Sequence, residues 1–269
     1  MERVLKIFIW TGIPIASSAA CWTLLAMNVL GLGINYTLIS LSFLLTWVSY
    51  ARDRLKFSEE DLVNSKERIF WYQKYIRKPF YAIAALSFIP MVLRYEVIPL
   101  ILIGGIISYF YRATIKISKN KSIRIKNVFL GKLTLVPLLW ILLVIFIPAY
   151  YTGLVPVHSS LFKISVYICL IVAIQIIISD FDDVLGDTTA KVKTMPIVLG
   201  IARTRVVLSF LALISLIAGL DIFPFAQLVI YTSILIVISL VYKKSSSNLV
   251  KLLVSSLGVI AVILYLLGE

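Results

Sequence analysis

The chain has 269 residues, 61% of them hydrophobic and only 14% charged, and it carries a formal net charge of +13. Average soluble domains carry about 25% charged residues, so too few polar side chains remain here to cover a soluble surface. A soluble all-α protein would show amphipathic stripes, and the sequence shows uniformly apolar runs instead.

The runs are about 17 to 25 residues long, the length that crosses a hydrocarbon core as a helix. A helix satisfies its own backbone hydrogen bonds, which lipid cannot do. Nine spans are expected, near 7–30, 34–51, 79–96, 98–113, 127–149, 160–180, 204–220, 224–242 and 248–267. The first run follows Met1 to Lys6 and is too long for a cleaved signal peptide. The third and fourth are divided only by Tyr95-Glu96-Val97. Cys21 and Cys169 fall inside runs and read as small buried hydrophobes. No soluble domain and no internal repeat is evident. The fold class expected is an all-α polytopic membrane protein, residues 1–269 forming one bundle of about nine transmembrane helices.

With nine spans, all of the 26 Lys and Arg except Arg94 and Lys163 lie on one side. By the positive-inside rule that side is cytoplasmic, and it holds the N-terminus. The membrane therefore explains the basic excess, and no nucleic-acid partner is expected. Nine of the thirteen carboxylates sit in two connections on the same side. One holds Asp53, Glu59, Glu60, Asp61 and Glu67. The other holds Asp180, Asp182, Asp183 and Asp187. Between them, the connection from Arg112 to Lys126 is basic throughout. His158, the only histidine, lies in an outer connection and is given no catalytic role.

Asp180, Asp183 and Asp187 are spaced i, i+3, i+7, one face of a helix. Like charges there repel, more strongly at the edge of a low-dielectric region than in water. A cation must be close. Such carboxylates are otherwise simply solvated, or paired with Lys191 and Lys193. Three on one face beside a second acidic connection favour function, and ionisable residues at membrane depth are functional by default. Hard oxygen ligands suit Mg²⁺, which is held by one or two carboxylates plus waters and substrate phosphates. A diphosphate needs metal on some oxygens and Lys or Arg on others. Carboxylates and cations at one mouth of an apolar bundle therefore suit a diphosphate ester with a greasy tail.

The stretch Asp180-Phe-Asp-Asp-Val-Leu-Gly-Asp187, followed by Lys193-Thr-Met-Pro-Ile-Val-Leu-Gly200, closely resembles the second signature of the UbiA superfamily of intramembrane prenyltransferases. That signature reads D-x-x-D-x-x-G-D, then K/R-T-x-P and a closing L-G. The nine-helix architecture with both acidic motifs cytoplasmic is also that family's, so the resemblance covers the whole chain. The first signature, N-x-x-x-D-x-x-x-D, is only partly present: its register falls on Ser49, Asp53 and Phe57. Glu60 lies seven residues after Asp53, on the same face if the helix continues, and is one candidate for the missing carboxylate; Asp61 is the other. Asn64-Ser-Lys-Glu-Arg68 resembles the family's following Arg-Pro stretch, with Ile69 in place of Pro. Tyr111, Arg112, Lys116 and Lys126-Asn127 resemble the family's residues around the fourth and fifth helices, with Lys116 one residue out of register. Lys191 stands where family members often have Gly.

The resemblance implies Mg²⁺-dependent transfer of a prenyl group from a polyprenyl diphosphate to a lipophilic acceptor within the membrane lipid. In it Asp53, Asp183 and Asp187 are the catalytic carboxylates. Asp183 and Asp187 hold one Mg²⁺ with Asp180 assisting; Asp53, with Glu60 or Asp61, holds another. Arg68, Lys126 and Lys193 neutralise the diphosphate, and Arg112, Lys116, Asn127 and Lys191 are further substrate contacts. Two alternatives stand beside transfer. One is a terpene synthase or cyclase of the same fold that uses no acceptor. The other is a non-enzymatic lipid-binding or transport protein using the basic face for anionic lipid.

Overall fold

The computed structural model describes residues 2–56, 59–118, 121–153, 159–220, 222–224, 228–229, 231–236 and 248–267. The chain runs through α1 (Glu2–Trp10), α2 (Ile13–Val29), α3 (Tyr36–Leu55), α4 (Glu59–Trp71), α5 (Arg77–Leu86), α6 (Phe88–Leu93) and α7 (Ile98–Arg112). A hairpin of β1 (Thr114–Ser118) and β2 (Lys121–Arg124) follows. Then come α8 (Gly131–Ile141), α9 (Ile147–Tyr151), α10 (Ser159–Thr189), α11 (Met195–Leu199), α12 (Ile201–Ala218), α13 (Asn248–Ser255) and α14 (Leu257–Leu266).

Helix α10 is the axis of the bundle. Ile164, Tyr167, Ile168, Ile171, Ile174 and Ile178 are fully enclosed, and α2, α4, α8, α11 and α12 pack round it. The outer helices show the inverse of a soluble protein. Leu102, Ile103, Ile106 and Phe110 on α7, and Phe210, Leu213, Ile214 and Ile217 on α12, are exposed. An apolar surface of this extent requires lipid.

Among the described residues four helices are long and apolar enough to cross a membrane: Asp61–Leu93, Gly131–Tyr151, Ser159–Thr189 and Ile201–Ala218. Counting each bent pair as one span gives six, so the expected nine do not all appear in this form. The first expected span is α1 and α2, bent by 58° where Gly12 takes φ 75 and Pro14 starts the next helix without an N–H. The last is α13 and α14, bent by 64°. The third extends to Asp61 as one long helix. The fourth, Tyr95–Tyr111, is a shorter apolar helix. Most of the eighth lies outside the described residues.

Breaks at membrane depth must have their backbone groups met by protein. At the first, the Trp10 carbonyl accepts from Arg54 Nη1 at 2.9 Å and from the Tyr72 hydroxyl, and the Thr11 carbonyl accepts from Trp47 Nε1 at 2.9 Å. At the second, Gln175 Nε2 donates to the Val254 carbonyl at 2.8 Å. Ser18 Oγ donates to the Ser255 carbonyl at 2.9 Å and accepts from Gly258 N at 3.1 Å. A Cβ on Gly258 would lie 2.5 Å from the Ser18 carbonyl oxygen, so only glycine permits this crossing of α2 and α14.

The hairpin departs from the all-α expectation. Its strands pair antiparallel, Thr114 with Arg124 and Ile115 with Ile123. Ile115-Lys116-Ile117-Ser118 alternates with period two, the strand signal. Cys21 and Cys169 are free and half-buried against the core, so neither is fully enclosed.

Candidate functional site

Helix α10 continues past its apolar part to Thr189, which carries Asp180, Asp183 and Asp187 on one helix as their spacing requires. Asp180 and Asp187 are buried and Asp183 is half-buried. Helix α10 closes in a Schellman turn: Val192 N donates to the Asp187 carbonyl at 2.8 Å, and Lys191 N to the Thr188 carbonyl at 3.2 Å. Lys191 occupies the left-handed position of that turn at φ 57, where glycine is the usual residue. Thr194 then caps α11 in extended conformation, and Gly200 takes φ 80 and ψ 159 between α11 and α12, a region open essentially to glycine alone. The signature positions Thr194, Pro196 and Gly200 thus have local backbone roles.

The cations that meet the acidic end come from other helices. Lys132 Nζ lies 2.5 Å from Asp180 Oδ1, and Asp180 is 2% exposed. Lys251, on α13, lies 3.0 Å from Asp182 Oδ2. From α4, Arg68 Nη2 lies 3.9 Å from Asp61 Oδ1. The charges of Lys132 and Arg68 both act on Asp183, as do those of Asp182 and Asp61. Arg54, at the end of α3, is close enough to Arg68 for the two charges to oppose each other.

Asn64 ties α4 to this end. Its Oδ1 accepts from Gly186 N at 2.7 Å and its Nδ2 donates to the Asp183 carbonyl at 3.1 Å. The amide spans one turn of α10, so it sets where Asp183 stands relative to Arg68. Ser65, between them, leaves helical geometry at φ −152 and ψ 42, and α4 kinks there.

The start of α8 is equally constrained. Leu130 is left-handed at φ 65, rare for a bulky residue. A Cβ on Gly131 would lie 2.3 Å from the Ile125 carbonyl oxygen, so the turn packs onto its own backbone. The Asn127 carbonyl accepts from Lys193 N at 3.3 Å. This joins the start of α8 to the segment after α10. A cleft between them is lined by Val128, Leu130, Lys132, Asp180, Lys193 and Thr194. Thr194 Oγ1, on the cleft, and Asn127 Oδ1, at the start of α8, are enclosed and have no hydrogen-bond partner among the described residues.

The structure therefore brings Asp61, Arg68, Asp180, Asp183 and the backbones of Asn127 and Lys193 to one end. The side chains of Lys191 and Lys193 are exposed. Asp53 is also exposed. The helix expected to run on from Asp53 to Glu60 stops at Leu55 and resumes at Glu59, so a shared face for those two residues does not follow. The side chains of Glu60, Arg112, Lys116 and Lys126 lie outside the described residues, as does His158. Three participants were not singled out in the sequence: Lys132, Asn64 and Arg54. Lys132 looked like any basic residue flanking a span. Arg94, one of the two outlying cations, stacks 4.8 Å over the Tyr151 ring, joining the end of α6 to that of α9.

The donor chemistry fits Mg²⁺ in one manner. Among the described residues no three of His, Cys, Asp or Glu converge as a cage for a metal ion. Mg²⁺ does not need one, since one or two carboxylates with waters and substrate phosphates suffice. Asp183, with Asp61 across from it, suits an ion that arrives on a diphosphate.

No family's sequence model matches the chain, and no curated protein does. Solved structures do. A digeranylgeranylglyceryl phosphate synthase structure matches with a TM-score of 0.55 at 16% identity, covering 98% of each chain. Two structures of a UbiA homologue from Archaeoglobus fulgidus, bound to GPP and Mg²⁺ and to DMAPP and Mg²⁺, give TM-scores of 0.49 and 0.47. They are 17% and 18% identical and cover 99% and 100% of this chain and 96% of theirs. Along almost its whole length the chain has the helical fold of the digeranylgeranylglyceryl phosphate synthase structure.

Proposed function

We propose that the chain is a member of the UbiA superfamily, acting as a single membrane-embedded unit that transfers a prenyl group from a prenyl diphosphate to a lipophilic acceptor. The reading rests on one observation above the others: the buried acidic end of α10, carrying the second signature, meets Lys132 and Arg68 in this fold. The basic end of the bundle is the cytoplasmic one, by the distribution of Lys and Arg.

Asp183 and Asp187, with Asp61 opposite, would hold Mg²⁺ against the diphosphate. Bound there, the ion acts as a Lewis acid on the leaving group. Arg68, Lys132 and Lys193 carry positive charge to where negative charge develops as the allylic C–O bond breaks. The electron pair leaves with the diphosphate, so these cations stabilise the transition state more than the ground state. The enclosed apolar flank of α10 keeps water from the allylic cation. Asn64 holds the spacing between Arg68 and Asp183. By the resemblance, Asp53 adds a further carboxylate and Arg112, Lys116, Lys126 and Lys191 add further cations.

The test is release of diphosphate from geranylgeranyl diphosphate by the purified chain with Mg²⁺, with and without candidate acceptors. Release that depends on an acceptor supports transfer. Release without one points to a synthase of the same fold. Failure to bind any prenyl diphosphate would sink both.

A further inference from the structure

Asp180 is the most deeply buried carboxylate of the site, and its seat is already filled by a protein cation. We infer that Lys132 stands in for a second metal ion, so that the site binds its diphosphate with one divalent cation, on the Asp183 side. This inference rests on the proposed prenyl diphosphate chemistry.

Three observations carry it. First, Lys132 Nζ is 2.5 Å from Asp180 Oδ1, and Asp180 is 2% exposed. A divalent ion needs carboxylate oxygens at about 2.0–2.1 Å for Mg²⁺. An ammonium already on that oxygen excludes it by contact and by like charge. Second, the backbone that presents Lys132 is built. Leu130 is left-handed and Gly131 has no room for a Cβ beside Ile125. Such conformations persist only where the surroundings impose them, so the backbone from which Lys132 reaches Asp180 is fixed, while its side chain stays one-third exposed. Third, Lys132 borders the cleft that also holds Lys193 and Thr194. Thr194 is 6% exposed, and its hydroxyl has no hydrogen-bond partner among the described residues. An ammonium has three donors and spends one on Asp180. Its remaining donors and the Thr194 hydroxyl offer positive charge and hydrogen bonds to a phosphate oxygen, which is a metal ion's task in holding a diphosphate. The opposite side keeps Asp183 and Asp61, with Arg68 between the two helices, for the single ion.

The experiment counts Mn²⁺ bound by the purified full chain in detergent, from the electron paramagnetic resonance signal of free Mn²⁺, with geranyl S-thiolodiphosphate as an unreactive donor. The wild type should bind one Mn²⁺ per chain. Lys132→Met should bind two, and at limiting Mn²⁺ its affinity for the analogue should fall about ten- to a hundredfold, recovering as Mn²⁺ is raised. Lys132→Arg, which keeps the charge, should remain at one. Asp180→Asn should also remain at one, because that carboxylate holds no ion. Two Mn²⁺ in the wild type overturn the inference and leave the proposed function standing. So does a Lys132→Met protein that melts like wild type yet binds one Mn²⁺ with unchanged analogue affinity. Should Lys132→Met not fold, the wild-type count and Asp180→Asn still decide the matter: one Mn²⁺ in both supports the inference, and loss of Mn²⁺ in Asp180→Asn overturns it. A wild type that binds neither the analogue nor Mn²⁺ sinks the proposed function as well.

Discussion

The two acidic regions of this chain are built differently. One is a single continuous helix: α10 runs 31 residues from an apolar start to a carboxylate-rich end, and the end inherits the rigidity of the buried part. The other is broken. Helix α3 stops at Leu55, α4 starts at Glu59 and kinks at Ser65. Asp53 is exposed at the end of one piece, while Asp61, Asn64 and Arg68 reach α10 from the next. A continuous helix can aim several carboxylates at one point. A broken one offers single side chains at different angles, and here it contributes a cation and an amide as much as acid.

If that contrast is correct, the largest effect belongs to α10. Asp183→Asn should reduce diphosphate release to background while the melting temperature in detergent stays close to wild type. Asp53→Asn should cost clearly less. Equal losses in the two variants, compared at saturating Mg²⁺, would mean that the broken half carries its own full metal site.

The next effect tests the joint between the halves. Asn64→Ala removes two hydrogen bonds to α10, worth about 1–3 kcal/mol of stability where the partners are left unsatisfied. It also frees Arg68 to shift relative to Asp183. The expected result is a lower melting temperature together with a fall in kcat larger than any change in KM for the donor, since the cation matters most as charge develops. Lower stability with unchanged kcat would reduce Asn64 to a structural tie.

How much of this could be read from the residues alone depended on distance along the chain. The acidic face of α10 was legible because i, i+3, i+7 is a local rule. Lys132 was not, because its partner Asp180 is 48 residues away and a Lys at the mouth of an apolar run is what any membrane protein shows. The bends at Gly12 and beside Ser256 were invisible because hydropathy does not register a change of direction. Their supports, Arg54, Tyr72, Trp47, Gln175 and Ser18, come from distant helices. The hairpin at 114–124 was legible in principle, since its isoleucines alternate, yet it was masked by the density of Lys and Arg. Glu60 was assigned a face by extending a helix through residues where the helix stops.

A smaller effect concerns the neighbour that turns away. Asp182 leaves the acidic face and pairs with Lys251 on α13 at 3.0 Å, with both side chains partly exposed. Pairs of this kind contribute about 1 kcal/mol or less. Asp182→Ala should lower the melting temperature slightly and leave diphosphate release near wild type. A large loss of activity would place Asp182, rather than Asp183, in the site.

The smallest effect separates two roles of one residue. Lys191 holds the left-handed position closing α10, a conformation that costs a non-glycine residue roughly 1–2 kcal/mol. Glycine relieves that cost but loses about 0.4–1 kcal/mol through its freer unfolded chain. Lys191→Gly should therefore stabilise the protein by up to about 1.5 kcal/mol, read as a higher melting temperature. The same change removes an exposed cation at the mouth of the site. One such charge is worth about 0.4–1 kcal/mol, so KM for the donor should rise about two- to fivefold at low salt and return toward wild type as salt screens the interaction. Lys191→Asn, which also tolerates the left-handed region, should reproduce the KM change with less of the gain in stability. A KM that does not move in either variant would leave Lys191 with a backbone role alone. The anion would then be held by the half-buried cations, Lys132 and Arg68, and not by the basic rim.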